Sequence, residues 1–168
     1  MTWTKPKTTK ELYDRLLNYF DVRELVSRRV YDKYILDWGK DNYYILQFFD
    51  RRVLENLLWL REVTDQPITI NDWLWGGSYS QRGLRDNLSP IVKSKEDVYL
   101  SGHVLANAID FFMADWSANK TRKFIKNNSD SVPNKCRLER KKGGRYISWV
   151  HMDCFDHPLN PKIYEFDV

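Results

Sequence analysis

The sequence predicts an α+β fold in which N-terminal helices pack on a small, mostly antiparallel sheet. Apolar residues recur with helical spacing in two stretches of the first third, 8–20 and 50–63. Alternating apolar and polar residues, which are typical of strands, recur after residue 65. With 168 residues, of which 42% are hydrophobic, the chain is long enough for one domain with a sizeable core. We therefore expect a single domain, 1–168, in which a helical and aromatic-rich part, 1–64, precedes a sheet-forming core, 65–168.

The helices of the first part each begin at a residue that can cap an N-terminus. Thr8 or Thr9 precedes the first helix, a second short helix is expected after Asp21, and Asp50 begins the long one. Between them, residues 30–48 are rich in aromatic side chains and show no clear period, which predicts an irregular loop packed on the domain. The aromatic cluster fits either core packing or a platform on which sugar rings stack.

The pattern of the second part predicts several strands, one hairpin and one surface helix. Polar loops are expected at 78–87 and 88–97, and Gly143 and Gly144 supply the tight turn of the hairpin. The predicted strands cover residues 68–75, 108–113, 137–139, 147–151 and 163–168, and the predicted helix covers residues 117–127.

The charge balance is mildly basic, with a net charge of +4 and a pI near 9.0. This suits an anionic partner such as a bacterial cell wall but does not by itself indicate nucleic acid. Two basic runs, 120–126 and 137–145, fit solvated faces, and a nucleic-acid-binding domain built on them is the weakest of our hypotheses. The N-terminus lacks the apolar run of a signal peptide, and no stretch of 18 apolar residues predicts a membrane span.

The two cysteines, Cys136 and Cys154, are too few for a disulfide framework. We expect both to be small, buried, apolar side chains. A mutual disulfide or a metal role is the alternative, because each lies near a predicted strand of the candidate site. His157 precedes Pro158 and is expected in a loop, not as a metal ligand.

Three side chains with metal-binding chemistry, His103, Asp110 and His151, stand on or beside apolar segments. Two imidazoles and one carboxylate can supply three protein ligands to a metal ion and leave a fourth position open, as catalytic zinc sites do. Spacing alone would favour a buried histidine and a capping aspartate. The surrounding pattern favours a metal site instead, because it matches a Ser-x-His-x-x-Gly-x-Ala-x-Asp motif. The residues at the fixed positions of this motif are Ser101, His103, Ala108 and Asp110.

Together with a His-x-Asp segment at His151 and Asp153, this motif resembles the zinc D-Ala-D-Ala carboxypeptidases and L-Ala-D-Glu endopeptidases of the hedgehog/DD-peptidase fold. Within that group, the chain looks most like the small proteins that tailed bacteriophages encode. The resemblance covers roughly residues 65–168, with one departure at Ala106, where the family usually has Gly. It implies a metallopeptidase-like core that holds one zinc ion per chain on the three ligands just named.

The resemblance also implies a cation that binds the carboxylate of the substrate. Arg85, or failing that Arg82, lies in the polar loop whose arginine has this role in the family, and a guanidinium can bind both carboxylate oxygens. A surface arginine in a basic loop is an equally good interpretation of either residue. Ser101 is expected either to hydrogen-bond within the site or to support the turn before His103.

The sequence leaves the identity of the general base open. Many members of the family carry a Glu three residues before the last His ligand, and here that position is Ser148. Asp153 shares a strand face with His151 by the period of two, so it is either the base or a residue that orients His151. Glu139, on the partner strand of the hairpin, belongs either to the catalytic site or to an ion pair with a neighbouring arginine.

We therefore expect a zinc-dependent peptidoglycan peptidase, a carboxypeptidase or endopeptidase acting on the stem peptide, encoded by a bacteriophage. The alternative is a non-catalytic virion or cell-wall-binding protein with the same fold. The expected partners are the stem peptide and other virion proteins, without nucleic acid. The expected location is the cytoplasm of the producing bacterial host or the virion.

Overall fold

The computed structural model describes residues 3–95, 97–159 and 161–168 and combines helices with a five-stranded mixed sheet. The α-helices are α1 (Thr9–Leu17), α2 (Val22–Leu25), α3 (Arg28–Tyr31), α4 (Asn42–Leu46), α5 (Arg51–Thr64), α6 (Pro90–Lys93) and α7 (Ala118–Asn127). The strands are β1 (Ile68–Thr69), β2 (Ala108–Met113), β3 (Cys136–Lys142), β4 (Arg145–Asp153) and β5 (Ile163–Asp167). The predicted α+β class is therefore confirmed.

The strand order in the sheet is β1-β2-β4-β3-β5. Every neighbouring pair is antiparallel except β3 and β5, which run parallel. The predicted hairpin joins β3 to β4, and its turn residues Gly143 and Gly144 have φ values of +56° and +77°, which a glycine adopts without strain. This hairpin lies at the centre of the sheet and carries most of the candidate site.

The predicted caps of the N-terminal helices are confirmed. The Thr8 side chain accepts a hydrogen bond from the backbone N–H of Glu11 at the start of α1. Asp21 and Glu24 form a reciprocal capping box at α2, and the Asp50 side chain accepts from the N–H of Arg52 at the start of α5. These caps satisfy N–H groups that have no partner within the helix.

The loop predicted over residues 30–48 is wrong, because this stretch is mostly helical. It contains the end of α3, a π-helical segment, Asp32–Asp37, and α4. Ser27 and Asp41 accept backbone hydrogen bonds as the N-caps of α3 and α4. The aromatic residues, which disguised the helical period, pack on one another, and the ring of Tyr34 lies with its centroid 5.0–5.5 Å from those of three neighbouring rings. Packing among these rings therefore stabilises helices that are too short to stand alone.

Two further segments differ from the prediction. Only β1 of the predicted strand 68–75 joins the sheet, because Asn71 turns the chain away: its backbone N–H donates to the Glu24 carbonyl and its side chain to the Val26 carbonyl. Residues Trp73–Trp75 then form a 3-10 turn. The loop predicted over 88–97 contains the single turn α6, which begins at a proline, while Glu96 lies outside the described residues.

The apolar core includes side chains from the helical part and from the sheet, among them Leu54, Trp59, Phe111 and Val150. Cys136 and Cys154 are free and buried, so the predicted burial is confirmed and the alternative of a disulfide is wrong. Burial raises the pKa of Cys136 to about 12, which makes this thiol a poor metal ligand. Among the described helices, none is both long enough and apolar enough to cross a bilayer.

Candidate metal centre

Three neighbouring strands place candidate site residues in one row across the sheet. Asp110 of β2 lies opposite His151 of β4, and His151 lies opposite Glu139 of β3. Directly opposed residues of antiparallel strands project to the same face, so the three side chains share one face of the sheet. The row thus combines two of the predicted ligands with one of the two candidate bases.

A second row lies two residues further along each strand and consists of Ala108, Asp153 and Arg137. Nε and Nη2 of Arg137 donate to the two carboxylate oxygens of Asp153 at 2.7 Å and 3.1 Å. Asp153 also lies 3.2 Å from Nε2 of His151 and is only 1% exposed. Burial alone would raise the pKa of Asp153, but His151 and Arg137 together lower it. Asp153 is therefore an ionised, fully engaged carboxylate that orients His151.

His103 approaches the first row from the turn before β2. Its Nδ1 lies 3.0 Å from the carbonyl oxygen of Gly83, to which it donates, and its Nε2 lies 3.3 Å from Oδ2 of Asp110. Gly83 is required here, because a Cβ would lie 1.9 Å from the carbonyl oxygen of Leu25. The orientation of His103 therefore depends on the close packing of two backbone segments far apart in sequence.

His103, Asp110 and His151 form a group that could hold a metal ion. One ligand atom from each residue lies within 4.8 Å of the others. The nitrogens that face Asp110 are Nε2 of His103 and Nδ1 of His151, and the latter lies 2.7 Å from Oδ1 of Asp110. The other ring nitrogen of each histidine faces a protein acceptor, the Gly83 carbonyl or Asp153. Metal-binding histidines are usually oriented in this way.

Burial and mutual proximity determine the charges of the three residues. Burial lowers the pKa of His103, so its ring is neutral, as a ligand must be. Burial opposes the charge of Asp110, but the two imidazoles outweigh it and hold its pKa well below the usual value. Burial likewise opposes a charge on His151, but hydrogen bonds to Asp110 and Asp153 raise its pKa to about 9. A metal would have to displace this proton, so binding should weaken as the pH falls.

Asp110 opens onto a cleft of about 240 Å³ whose walls include both candidate arginines. The cleft is lined by Ser78, Tyr79, Ser80, Gln81, Arg82, Arg85, Asp110 and Trp149. A larger cavity of about 750 Å³ adjoins it and shares Arg85 as a lining residue. Among the three candidate ligands, only Asp110 lines the smaller cleft, so a substrate would reach the candidate centre from its side.

The two arginines have different environments. Nη2 of Arg85 lies 3.4 Å from Oδ2 of Asp110, and its Nε donates to the Gln81 carbonyl at 2.7 Å. The guanidinium of Arg82 lies over the rings of Tyr79 and Phe112, at 4.0 Å and 4.4 Å from their centroids, and makes no ion pair with any described residue. Arg85 is therefore in direct contact with Asp110, whereas Arg82 interacts with Asp110 and Asp72 only beyond ion-pair distance and lines the cleft.

The remaining predicted residues lie close to the centre but differ in their engagement. The Ser101 hydroxyl accepts a hydrogen bond from the N–H of Val104 at 3.4 Å, which supports the turn, the second of its two expected roles. Glu139 forms no ion pair with any described residue, and its buried Oε1 has no hydrogen-bond partner among them. Burial raises the pKa of Glu139 above its usual value. Glu139, not Asp153, is thus the carboxylate with an unused oxygen.

Sequence reasoning missed Gly83, Arg137, Tyr79 and Trp149, which support or line the site. Arg137 could have been found, because it precedes Glu139 by two on the same strand and so shares its face. The same period places Trp149 on the face of His151, two residues before it on β4, whereas Gly83 and Tyr79 lie in irregular backbone and carry no such signal. Comparison with models of protein families, with curated proteins and with solved structures finds no match for this chain.

Proposed function

We propose that this chain is a zinc-dependent peptidase of the hedgehog/DD-peptidase class that hydrolyses an amide bond in the stem peptide of peptidoglycan. The observation that carries the proposal is the convergence of His103, Asp110 and His151, each imidazole oriented by a separate acceptor. The motif resemblance in the same residues supplies the substrate class, and the mildly basic chain suits the anionic wall. A phage-encoded protein acting on a host wall is the biological context that we propose.

The donor set fits zinc. Two imidazole nitrogens and one carboxylate oxygen form the three-ligand pattern of catalytic zinc sites, and such ligands suit Zn²⁺ better than Mg²⁺ or Ca²⁺. When bound, zinc would supply Lewis acidity that polarises a substrate carbonyl and makes water more acidic. The residues of the chain would then orient the ligands, bind the substrate and move protons.

We assign the proton transfer to Glu139. Its Oε1 is buried, accepts no hydrogen bond from the described residues and belongs to the row that contains His151 and Asp110. Burial raises its pKa, so Glu139 can accept the proton of the attacking water, hold it and pass it to the leaving amine. Asp153 is not suited to this role, because Arg137 and His151 occupy both of its oxygens.

Arg82 is the better candidate for binding a substrate carboxylate. Its guanidinium is enclosed by aromatic rings and lacks an ion-pair partner among the described residues. A carboxylate that enters the cleft would therefore complete a charge pair in partly dehydrated surroundings, where it is strong. Arg85, bound to Gln81 and facing Asp110, instead limits the negative charge beside the metal centre.

The test combines metal content with turnover on one sample. We expect about one zinc per purified chain and a chelator-sensitive release of new amino groups from purified peptidoglycan. His103→Ala and Asp110→Ala should lose both zinc and turnover, because each removes a ligand. Glu139→Gln should keep zinc but lose turnover by about 10²-fold or more, since it cannot accept a proton.

Glu165→Gln is the matched control for Glu139→Gln. Glu165 lies on the adjacent strand β5, opposite Leu138, and its charge pairs with Lys126 at the surface. This variant should keep both zinc and turnover. Zinc binding without any release by the parent protein would contradict the peptidase and favour the non-catalytic, wall-binding alternative. Hydrolysis that survives His103→Ala would contradict the ligand assignment itself.

A further inference from the structure

The ladder between β3 and β4 is interrupted beside the candidate centre. From the turn, Lys142 pairs with Arg145 and Lys141 with Tyr146, but the next pair is Glu139 with His151. A single residue of β3, Arg140, therefore lies opposite the four-residue stretch 147–150 of β4. Without this interruption, the register set by the turn would place Glu139 opposite Ser148 instead of His151.

The side chain of Arg122, on α7, occupies the interrupted part of the ladder. Its Nη1 donates to the carbonyl oxygens of Trp149 at 3.0 Å and Glu139 at 3.4 Å, and its Nη2 donates to the carbonyl oxygen of Ile147 at 3.3 Å. Nη2 also donates to the Asn119 side chain at 2.6 Å. These bonds satisfy carbonyl groups that the shift in register deprives of strand partners.

This arrangement is costly if stability alone is considered. Arg122 is only 2% exposed and pairs with no carboxylate among the described residues, and burial lowers its pKa. Glu165 and Glu139 attract the guanidinium only from beyond ion-pair distance. A buried cation without a direct ion pair is seldom the best way to fill space, because an apolar side chain of similar size avoids the desolvation penalty. The guanidinium fork does one thing that an apolar residue cannot, which is to bind three strand carbonyls at defined positions.

The hydrogen bonds from Arg122 fix the backbone positions of two residues of the site. Glu139, whose carbonyl accepts from Arg122, is the last residue in the shifted register and therefore the one that faces His151. Trp149, whose carbonyl also accepts from Arg122, lines the metal-site cleft and contributes a ring 5.6 Å from the guanidinium of Arg82. The same side chain thus connects the candidate base with the wall of the substrate cleft.

We propose that Arg122 is a positioning residue, which holds the shifted β3–β4 register so that Glu139 faces the metal centre and Trp149 closes the cleft around Arg82. The catalytic part of this inference rests on the proposed function. Arg122 touches neither the metal ligands nor the cleft directly; it acts through the backbone of β3 and β4. A misplacement of about 1 Å in a catalytic group can cost about 10²-fold in rate.

The test compares Arg122→Met, Arg122→Lys and Asn119→Ala with the parent protein and with Ile125→Ala. Met keeps an apolar stem of similar length, and Lys keeps the charge without the fork. Asn119→Ala removes only the side-chain acceptor of Arg122 from an exposed position, so it should remain folded. Ile125 is buried on the same helix but packs in the apolar core, so its loss destabilises α7 without touching the ladder.

Each variant is measured for thermal stability, zinc affinity, kcat and KM on a stem peptide, and the fluorescence of Trp149, obtained by subtracting the matching Trp149→Phe protein. We expect Arg122→Met and Arg122→Lys to keep zinc affinity near the parental value and to lose about 10²-fold in kcat. Asn119→Ala should show a smaller loss in the same direction. The emission of Trp149 should shift in all three proteins but not in Ile125→Ala.

Parental kcat per folded molecule in Arg122→Met would overturn the inference, and so would an equal kcat loss in Ile125→Ala. Absence of turnover in the parent protein would instead contradict the proposed function. The emission of Trp149 would then decide about Arg122 alone. An unchanged emission in the Arg122 and Asn119 variants would show that Arg122 does not hold this segment.

Discussion

The candidate centre lies between two walls that are built in different ways. The strand wall consists of β2, β4 and β3 and carries Asp110, His151, Glu139 and Asp153 in two regular rows. The loop wall consists of residues 78–85 and 101–107 and carries the arginines and His103. It has no ladder of its own and is held by single backbone bonds to other elements, such as Leu84 N–H to the Leu25 carbonyl and Asp50 N–H to the Ala106 carbonyl.

This difference between the walls predicts how substitutions in each of them should act. On the strand wall the backbone is held by the sheet, so a substitution should act mainly by leaving a buried charge or hydrogen-bond partner unsatisfied. On the loop wall the side chains depend on where the backbone lies, so a substitution should act mainly by displacing the backbone. Substitutions in either wall should change both the free energy of unfolding and zinc affinity. On the strand wall, the loss of polar partners should account for most of these changes, and on the loop wall, steric displacement should.

The largest effect is expected for Asp153→Ala on the strand wall. The substitution leaves Arg137 without its bidentate partner and His151 without the acceptor of Nε2, at a position only 1% exposed. Removing one member of a buried pair typically costs about 3–5 kcal/mol, and we expect a loss of that size in chemical denaturation at pH 7. Zinc affinity should fall by about 10- to 100-fold, because the orientation of His151 is lost.

A surface pair of the same kind is the control for Asp153→Ala. Arg140 and Asp167 form a bidentate pair between β3 and β5, but both side chains are 42% exposed, so Asp167→Ala should change little. The effect at Asp153 should also depend on pH. Its pKa is lower in the folded than in the unfolded chain, so its contribution is present above the unfolded value of 3.8 and is lost as the pH falls through the folded value. Equal losses of unfolding free energy in Asp153→Ala and Asp167→Ala would contradict the contrast between the buried and the exposed pair.

The strand wall was also the more predictable wall. A strand-like sequence predicted β2, the Gly143–Gly144 turn predicted the hairpin, and the period of two placed Asp153 on the face of His151. The pairing of Glu139 with His151 could not be predicted, since the Gly143–Gly144 turn implies a register that is broken beyond Lys141. An interruption of this size depends on a side chain from α7, 17 residues before Glu139, and local periodicity carries no information about it.

The loop wall offered the sequence almost no periodic signal. The prediction that His103 is a metal ligand came from its motif and not from any expected contact with Gly83. The sequence favoured Arg85 over Arg82 as the cation that binds a carboxylate, but their surroundings place Arg85 beside Asp110 and Arg82 in the aromatic cleft. Residues 68–75 show the same limit, because tertiary bonds of Asn71 overrode an alternating pattern.

An intermediate effect is expected for Gly83→Ala on the loop wall. The added Cβ would lie 1.9 Å from the Leu25 carbonyl oxygen, which belongs to the backbone and can move only with α2. We expect a loss of about 2–3 kcal/mol in unfolding free energy. Zinc affinity should fall by about tenfold or more, because the displaced carbonyl no longer orients His103.

Gly39→Ala separates backbone strain from displacement of the site. Gly39 has a φ of +61° and no atom within 4 Å of an added Cβ, so alanine there is strained but does not push on a neighbour. It should lower stability without changing zinc affinity. A Gly83→Ala protein with parental zinc affinity would contradict the idea that the loop wall acts through the position of its backbone.

The smallest effect is expected for Ala106→Gly, which restores the residue usual in the motif. Ala106 has a φ of +53°, a conformation that glycine adopts without strain, but its methyl group is buried. Relief of the strain, about 1–2 kcal/mol, is offset by the lost methyl burial and by the greater freedom of glycine in the unfolded chain, so the net change should lie within about 0.5 kcal/mol. Ala108→Gly removes an equally buried methyl from β2 without any relief of strain and should destabilise by about 1–2 kcal/mol. The difference between the unfolding free energies of the two glycine variants, measured in denaturant, therefore reports the strain at Ala106. Equal losses of unfolding free energy would mean that Ala106 stores no such strain.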